Sequence, residues 1–232
     1  KLEIIVSILP IDTGRYGTKE MLEIFKEQKK IDYQLDIEAA AALSQSEIGL
    51  IPASVAKDIS RIAKSGKITA KRIKQLESKS DHDTAALVEA LAEKCKTESR
   101  PWIHYGLTSN DLVDTSNSMQ MRDAIKIIQP KVSKLSLILA KNAVKHKSVP
   151  AVGRTHGQHA SIISFGLKFA NWASEMSTHL ERLDEIKKRI LICKTLGVVG
   201  TGSLMGKNAI KVQERVARKL SLYPAKVTTQ IV

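Results

Sequence analysis

The chain has 232 residues, enough for one large domain or two small ones. Hydrophobic residues make up 43% but aromatics only 4%, so the core must be built from Leu, Ile, Val, Ala and Met, which suits packed helices better than a sheet sandwich. The formal net charge of +13 favours anionic partners of any kind, whether nucleic acid, acidic membrane surface or polyanionic metabolite, and does not choose among them.

Cys95 and Cys193 have no metal-type spacing. A disulfide between them is possible, but a reduced, cytoplasmic setting is the simpler expectation. The apolar run Ile4–Pro10 is too short to cross a bilayer, so no membrane association is expected. It also lacks a small-residue cleavage site after a basic start, which argues against a secretion signal. The chain does not begin with Met, which leaves the true N-terminus open.

In chain order, the first helix is expected to start at Thr18, a good N-cap with Glu20 in the first turn, and to run to about Gln45. Gly49 and Pro52 break the chain. Pro52 fits the first position of a second helix that carries Val55, Ile59 and Ile62 on one face. A third helix carries Ile73 and Leu76, a fourth Leu87 and Leu91. Arg100–Asn110 reads as a loop. Two helical stretches should follow, divided at Pro130, where the missing N–H should kink or break the helix. Val149–Gly157 reads as another loop, opened by Pro150 and Gly153.

The next helix defines the architecture. Phe165, Phe169, Trp172, Met176, His179, Leu183, Ile186 and Ile190 alternate in steps of four and three, a heptad seam. Such a seam needs a long partner helix and predicts an elongated bundle, one that subunits could share. Gly197–Gly206 reads as a flexible loop that ends it. No sustained alternation marks a sheet, although short strands near Val149–Val152 and Lys226–Val232 are compatible with the pattern. The expected fold is all-α: a small helical N-terminal domain to about residue 109, then a long helical bundle from 110 to 232.

Four polar clusters fall between helices, where scaffolded loops commonly carry function. In Gly14-Arg15-Tyr16-Gly17, an arginine beside a tyrosine can clamp a phosphate, or the segment can simply lead into the first helix. In Ser80-Asp81-His82-Asp83, the histidine could bind phosphate or move a proton; Asp81 and Asp83 could equally cap the next helix. His104–Asp111 contains Thr108 and Ser109, hydroxyls that can hold a carboxylate at a helix start or act only as caps. Gly153–Ala160 contains His156 and His159. No further ligand in the segment completes a metal set, and imidazole is the side chain best matched to proton transfer near neutral pH. The glycines at 197, 200, 202 and 206 fit neither a dinucleotide fingerprint nor a P-loop, and His179 on the seam reads as a satisfied core or interface histidine.

Taken in order, these clusters resemble the fumarase/aspartase superfamily and, within it, the adenylosuccinate lyase family. The resemblance rests on Asp12–Gly17, His82-Asp83, His104–Asp111, Gly153–Ala160 and Thr229–Val232, and it spans nearly the whole chain. It implies a β-elimination that releases fumarate from a succinylated purine nucleotide, with no cofactor or metal demanded. His156 would be the general acid. Thr108 and Ser109 would hold the succinyl carboxylates, with Thr155 assisting. Arg15 and Tyr16 would hold the nucleotide phosphate; Asp81, His82 and Asp83 would contact substrate near the phosphate or ribose; Gln230 would reach it from the far end of the bundle. Relatives often carry a basic or amide residue where Asp81 stands.

The resemblance also implies a homotetramer with active sites assembled from several subunits. The family's catalytic base is a serine in a mobile loop downstream of any segment present here, so this truncated chain alone should lack half of the acid–base pair. Two other readings stand beside it. One is a basic nucleic-acid-binding module, against which speak the absent motifs, the few base-stacking aromatics and the dispersed charge. The other is a different superfamily lyase or a non-catalytic helical assembly module.

Overall fold

The computed structural model describes residues 16–229, so Arg15 and Gln230 lie outside the described residues. The chain divides into two compact units. The first comprises residues up to Asp123 together with those from Ile190 onward; the second is Ala124–Arg189.

The first unit is built around α2 (Glu27–Ser46), which packs against both α3 (Ala53–Ala63) and α8 (Ala209–Leu220). Its middle is buried on all sides, with Ile31, Tyr33, Leu35, Ile37 and the run Ala39–Ala42 inaccessible, as a helix at the centre of a bundle must be. The flanking helices are amphipathic. Val55, Ile59 and Ile62 line the inner face of α3, and Val212, Val216 and Leu220 that of α8. Each such fully buried side chain contributes about 1.5–3 kcal/mol of burial free energy. α4 (Ala70–Ser80) and α5 (Asp83–Lys94) form a helical pair that buries Ile73, Leu76, Leu87 and Leu91. A 3-10 turn at Thr97–Trp102 leads to α6 (Ser109–Lys145).

Thr18 caps the first helix as expected, accepting from the Met21 N–H. That helix, however, is two helices: α1 (Lys19–Phe25) ends at Lys26, whose ψ of 143° turns the chain before α2 begins. The break frees the Ile24 carbonyl, and buried Gln120 of α6 donates to it at 3.1 Å. A long-range partner of this kind leaves no local sign in the sequence. Pro52 is the N-cap of α3 rather than its first residue.

The larger correction concerns Pro130. α6 runs unbroken for 37 residues through the proline. The missing N–H and ring clash cost about 3 kcal/mol, and side-chain bonds from Gln129 and Ser136 to the next long helix tie α6 down on either side of the proline. Gln129 beside the proline also binds Asp184 and Lys187 of α7 (Phe165–Ile190). The second unit is this second half of α6 running antiparallel to α7, with a hairpin between them. Gly166 marks the closest crossing: a Cβ there would lie 2.4 Å from the Ala143 carbonyl oxygen.

The heptad seam of α7 is helical as expected. Within its unit, however, it is only partly covered: Trp172 is 45% and Ile186 41% exposed. Leu135, Leu137 and Ile138 of α6 are likewise exposed. His179 sits at the surface, bonded to Arg182 rather than buried. Residues 150–164 form β1 (Pro150–Thr155) and β2 (Gln158–Ser164), paired antiparallel. β1 extends the short strand read near Val149; β2 was not read, because Ile162-Ile163 is too short a run to separate from the helix that follows.

Beyond α7, β3 (Ile192–Cys193) pairs in parallel with β4 (Tyr223–Pro224), and no strand occupies 226–229. The Gly197–Gly206 segment is a shaped turn rather than an open loop. It ends in a 3-10 helix, Ser203–Asn208, and Gly197 packs so closely on the preceding loop that a Cβ would lie 3.1 Å from the Gly106 carbonyl oxygen. Cys95 and Cys193 are both free and buried; burial pushes their thiols up to about 11 and about 12. Among the described residues no helix is long and apolar enough to cross a membrane.

Candidate active site

Four backbone positions carry the polar clusters, and each is set by local chemistry. The first is the hairpin tip. Thr155 pairs with Gln158, leaving His156 and Gly157 as a two-residue connection. Both have positive φ, 52° and 72°, as a type I′ hairpin turn requires. Glycine takes this conformation freely; a histidine there is strained by about 1 kcal/mol, and such strain collects at functional sites.

The same hairpin separates its two histidines. Arg154 stands opposite His159, and its guanidinium donates to His159 Nε2 at 3.1 Å. Arginine has no acceptor, so that ring nitrogen is occupied. His156 makes no hydrogen bond among the described residues, and both it and Thr155 are exposed. The imidazole is thus presented outward by a rigid turn, with neither ring nitrogen committed. That is what a proton donor awaiting its substrate requires.

The second cluster is the corner between α4 and α5. Asp81 takes the left-handed position that ends α4, with its N–H bonded to the Glu77 carbonyl. The cap of α5 is supplied by neither aspartate. His82 Nδ1 accepts from the Ala85 N–H at 3.3 Å, while Asp83 accepts from the adjacent Thr84 N–H at 2.6 Å. With Nδ1 committed as an acceptor, Nε2 is the nitrogen His82 can offer to a ligand. The His82 and Asp83 side chains are both more than half exposed.

The third cluster opens α6. Thr108 is buried and Ser109 half-buried at the helix start. Asp111, fully buried, reaches back to accept the Thr108 N–H at 3.1 Å, the acidic half of a capping box. The same carboxylate oxygen accepts from the Gly197 N–H at 2.9 Å, which fastens the glycine turn beneath the Thr-Ser loop. Burial raises the Asp111 pKa, and the two N–H donors with Lys194 and His104 offset this only in part. Its other oxygen has no hydrogen-bond partner among the described residues.

Of the first cluster, Tyr16 and Gly17 are described, and Tyr16 is 72% exposed. The first unit therefore holds Tyr16, Asp81, His82, Asp83, Thr108 and Ser109; the second holds Thr155 and His156. No hydrogen bond or ion pair among the described residues joins the Asp81–Asp83 corner to the Thr108–Ser109 loop. Nor do three His, Cys, Asp or Glu side chains gather there as metal ligands would.

Reading the sequence missed two residues in this region. His104 lies at φ 61° within the quoted His104–Asp111 string, and Glu38 of α2, 2% exposed in its side chain, bonds to it. The available signal was a lone carboxylate in the otherwise apolar run Ile37-Glu38-Ala39-Ala40-Ala41-Ala42. A charge at the centre of a buried helix needs a partner.

A family model described as lyase matches residues 14–231. The adenylosuccinate lyase of Methanocaldococcus jannaschii is 43% identical over 98% of this chain and 49% of its own length. That of Methanothermobacter thermautotrophicus is 40% identical over 98% of this chain and 50% of its own. A fumarate lyase structure from Mesorhizobium superposes with a TM-score of 0.84 at 32% identity, over 90% of this chain and 49% of that one. The chain thus spans about half the length of the relatives it matches. By sequence and by fold, it belongs to the lyase family of the fumarase/aspartase superfamily.

Proposed function

We propose that the protein is an adenylosuccinate lyase, which eliminates fumarate from adenylosuccinate to leave AMP and acts likewise on the succinylated carboxamide ribotide of purine synthesis. The observation that carries this reading is His156, strained, exposed and unbonded at the hairpin tip while its neighbour His159 is occupied. The archaeal adenylosuccinate lyases at 40–43% identity support this substrate over others in the superfamily.

In this reading a base takes a proton from the succinyl carbon, the carbon–nitrogen bond breaks, and His156 protonates the departing purine nitrogen. A positioned acid of this kind accounts for roughly 10²–10⁴-fold in rate. Negative charge builds on the succinyl carboxylate as the proton leaves, so donors there stabilise the transition state. Thr108 and Ser109 supply them, with Thr155 assisting. Arg15 and Tyr16 hold the phosphate. His82, through its free Nε2, contacts the phosphate or ribose together with Asp81 and Asp83; Gln230 closes the far side. The net charge of +13 draws in a substrate bearing a phosphate and two carboxylates.

The site of a cytoplasmic homotetramer would be completed by other subunits. The uncovered apolar surface of α6 and α7 supports a bundle extended by further helices. The full-length protein given adenylosuccinate should release fumarate and AMP in equal amounts; neither product appearing would refute the assignment.

A further inference from the structure

One buried carboxylate holds a single histidine at two points. Glu38 Oε2 accepts the backbone N–H of His104 at 3.0 Å, and Oε1 lies 2.6 Å from its ring Nδ1. His104 is in the left-handed region, a conformation that a non-glycine residue keeps only when its surroundings enforce it. The grip consumes Nδ1. Nε2 has no hydrogen-bond partner among the described residues, and the side chain keeps 21% of its surface accessible.

The charge environment has a definite sign. Burial opposes a charged ring, but the Glu38 hydrogen bond and the charges of Glu38 and Asp111 outweigh it, so the His104 pKa is raised above its ordinary value. The charged groups facing the ring are Glu38 from α2 and Asp111 from α6, and Lys194 acts on Asp111 in turn. Burying a carboxylate costs several kcal/mol unless it is fully paired. Glu38 spends both oxygens on one residue, His104, which opens the same loop that leads to Thr108 and Ser109.

We infer that Glu38 is a positioning residue: it fixes His104 as a cation with Nε2–H aimed at an anionic group of the substrate. This rests on the lyase reading. The anion is a succinyl carboxylate or the nucleotide phosphate, and Nε2–H donates equally well to either.

The test uses full-length protein and Glu38→Gln, which preserves volume while removing the charge. Wild-type kcat/KM should hold on the alkaline side until His104 loses its proton. In Glu38→Gln that limb should move to lower pH, with a loss of up to about ten-fold on the alkaline side for each unit moved and recovery toward wild type in acid. Inhibition by AMP and by fumarate, measured separately, identifies the anion: weakened AMP inhibition assigns the phosphate, weakened fumarate inhibition a carboxylate. Because Glu38 acts through His104, adding Glu38→Gln to His104→Gln should cause no further loss.

An unmoved pH limb, or losses that multiply in the double variant, overturns the inference and leaves Glu38 a structural tie. If wild type releases no fumarate, the lyase reading fails instead. The 15N shifts of the His104 ring then still test the grip: titration at the same pH in wild type and Glu38→Gln would overturn it.

Discussion

The two histidine-bearing loops are built in opposite ways. His104 and the Thr108–Ser109 segment are fastened from behind: Glu38 holds the ring, Asp111 joins the helix start to Gly197, and Gln45 donates to the Tyr105 carbonyl at 2.7 Å. His156 is carried by its hairpin turn, and among the described residues its side chain makes no hydrogen bond. In the proposed lyase reading, the difference matches two chemical tasks. Groups that bind a fixed anion gain from being ordered in advance, since no free energy then goes into ordering them on binding. A proton donor must keep its nitrogens uncommitted until the substrate arrives.

That contrast can be broken by substitution. The largest expected effect is at the bare loop. His156→Gly should lower turnover by roughly 10²–10⁴-fold while thermal stability holds or rises, because glycine relieves the left-handed backbone. A parallel fall in Tm would mean that the ring is structural.

Next is the crossing that carries the hairpin. Gly166→Ala gains up to about 1 kcal/mol of helix propensity but drives a methyl onto the Ala143 carbonyl oxygen. The collision should win, with a net loss of about 3 kcal/mol in chemical denaturation. An unchanged midpoint would show that the helices can part at little cost.

At the fastened loop, Asp111→Ala strips the acceptor from one buried and one part-buried N–H group and should cost about 2 kcal/mol. Loss of stability should accompany loss of activity there, unlike at His156.

A pH effect sharpens the same comparison. The His104 pKa is raised in the folded state, so its contribution to stability is fully present below the ordinary value of 6.5 and fades as pH rises through the raised one. Wild type should therefore lose stability across that window relative to Glu38→Gln. Parallel stability curves for the two proteins would contradict the charge assignment. The smallest effect lies away from both loops: Ser221 caps α8 with φ 55°, and Ser221→Gly should stabilise by about 0.4–1 kcal/mol, visible as a small rise in Tm.

The sequence reading succeeded where the physics is local or periodic. The seam from Phe165 to Ile190 gave α7, and Thr18 gave its own cap, because a helical period and a hydroxyl acceptor act within a few residues. It failed where a distant partner decides. The carbonyl freed by the break at Lys26 is satisfied by Gln120, and α6 continues through Pro130 where Gln129 is tied to Asp184 and Lys187 of α7. The hairpin was half legible: Pro150 and Gly153 announced an interruption, but the strand carrying Ile162 and Ile163 ran straight into α7 without a breaker.

The candidate site shows the same division. His156 could be read from its motif and from the chemistry of imidazole. The role of Glu38 could not, since its partner lies 66 residues away and only the fold brings them to 2.6 Å.

The most direct measurement pairs binding with turnover in the full-length His156→Ala variant. Adenylosuccinate should bind with close to wild-type affinity while fumarate release all but stops, as the loss of a proton donor requires. Fumarate release at the wild-type rate, or binding that collapses together with turnover, would show that this imidazole is not the acid.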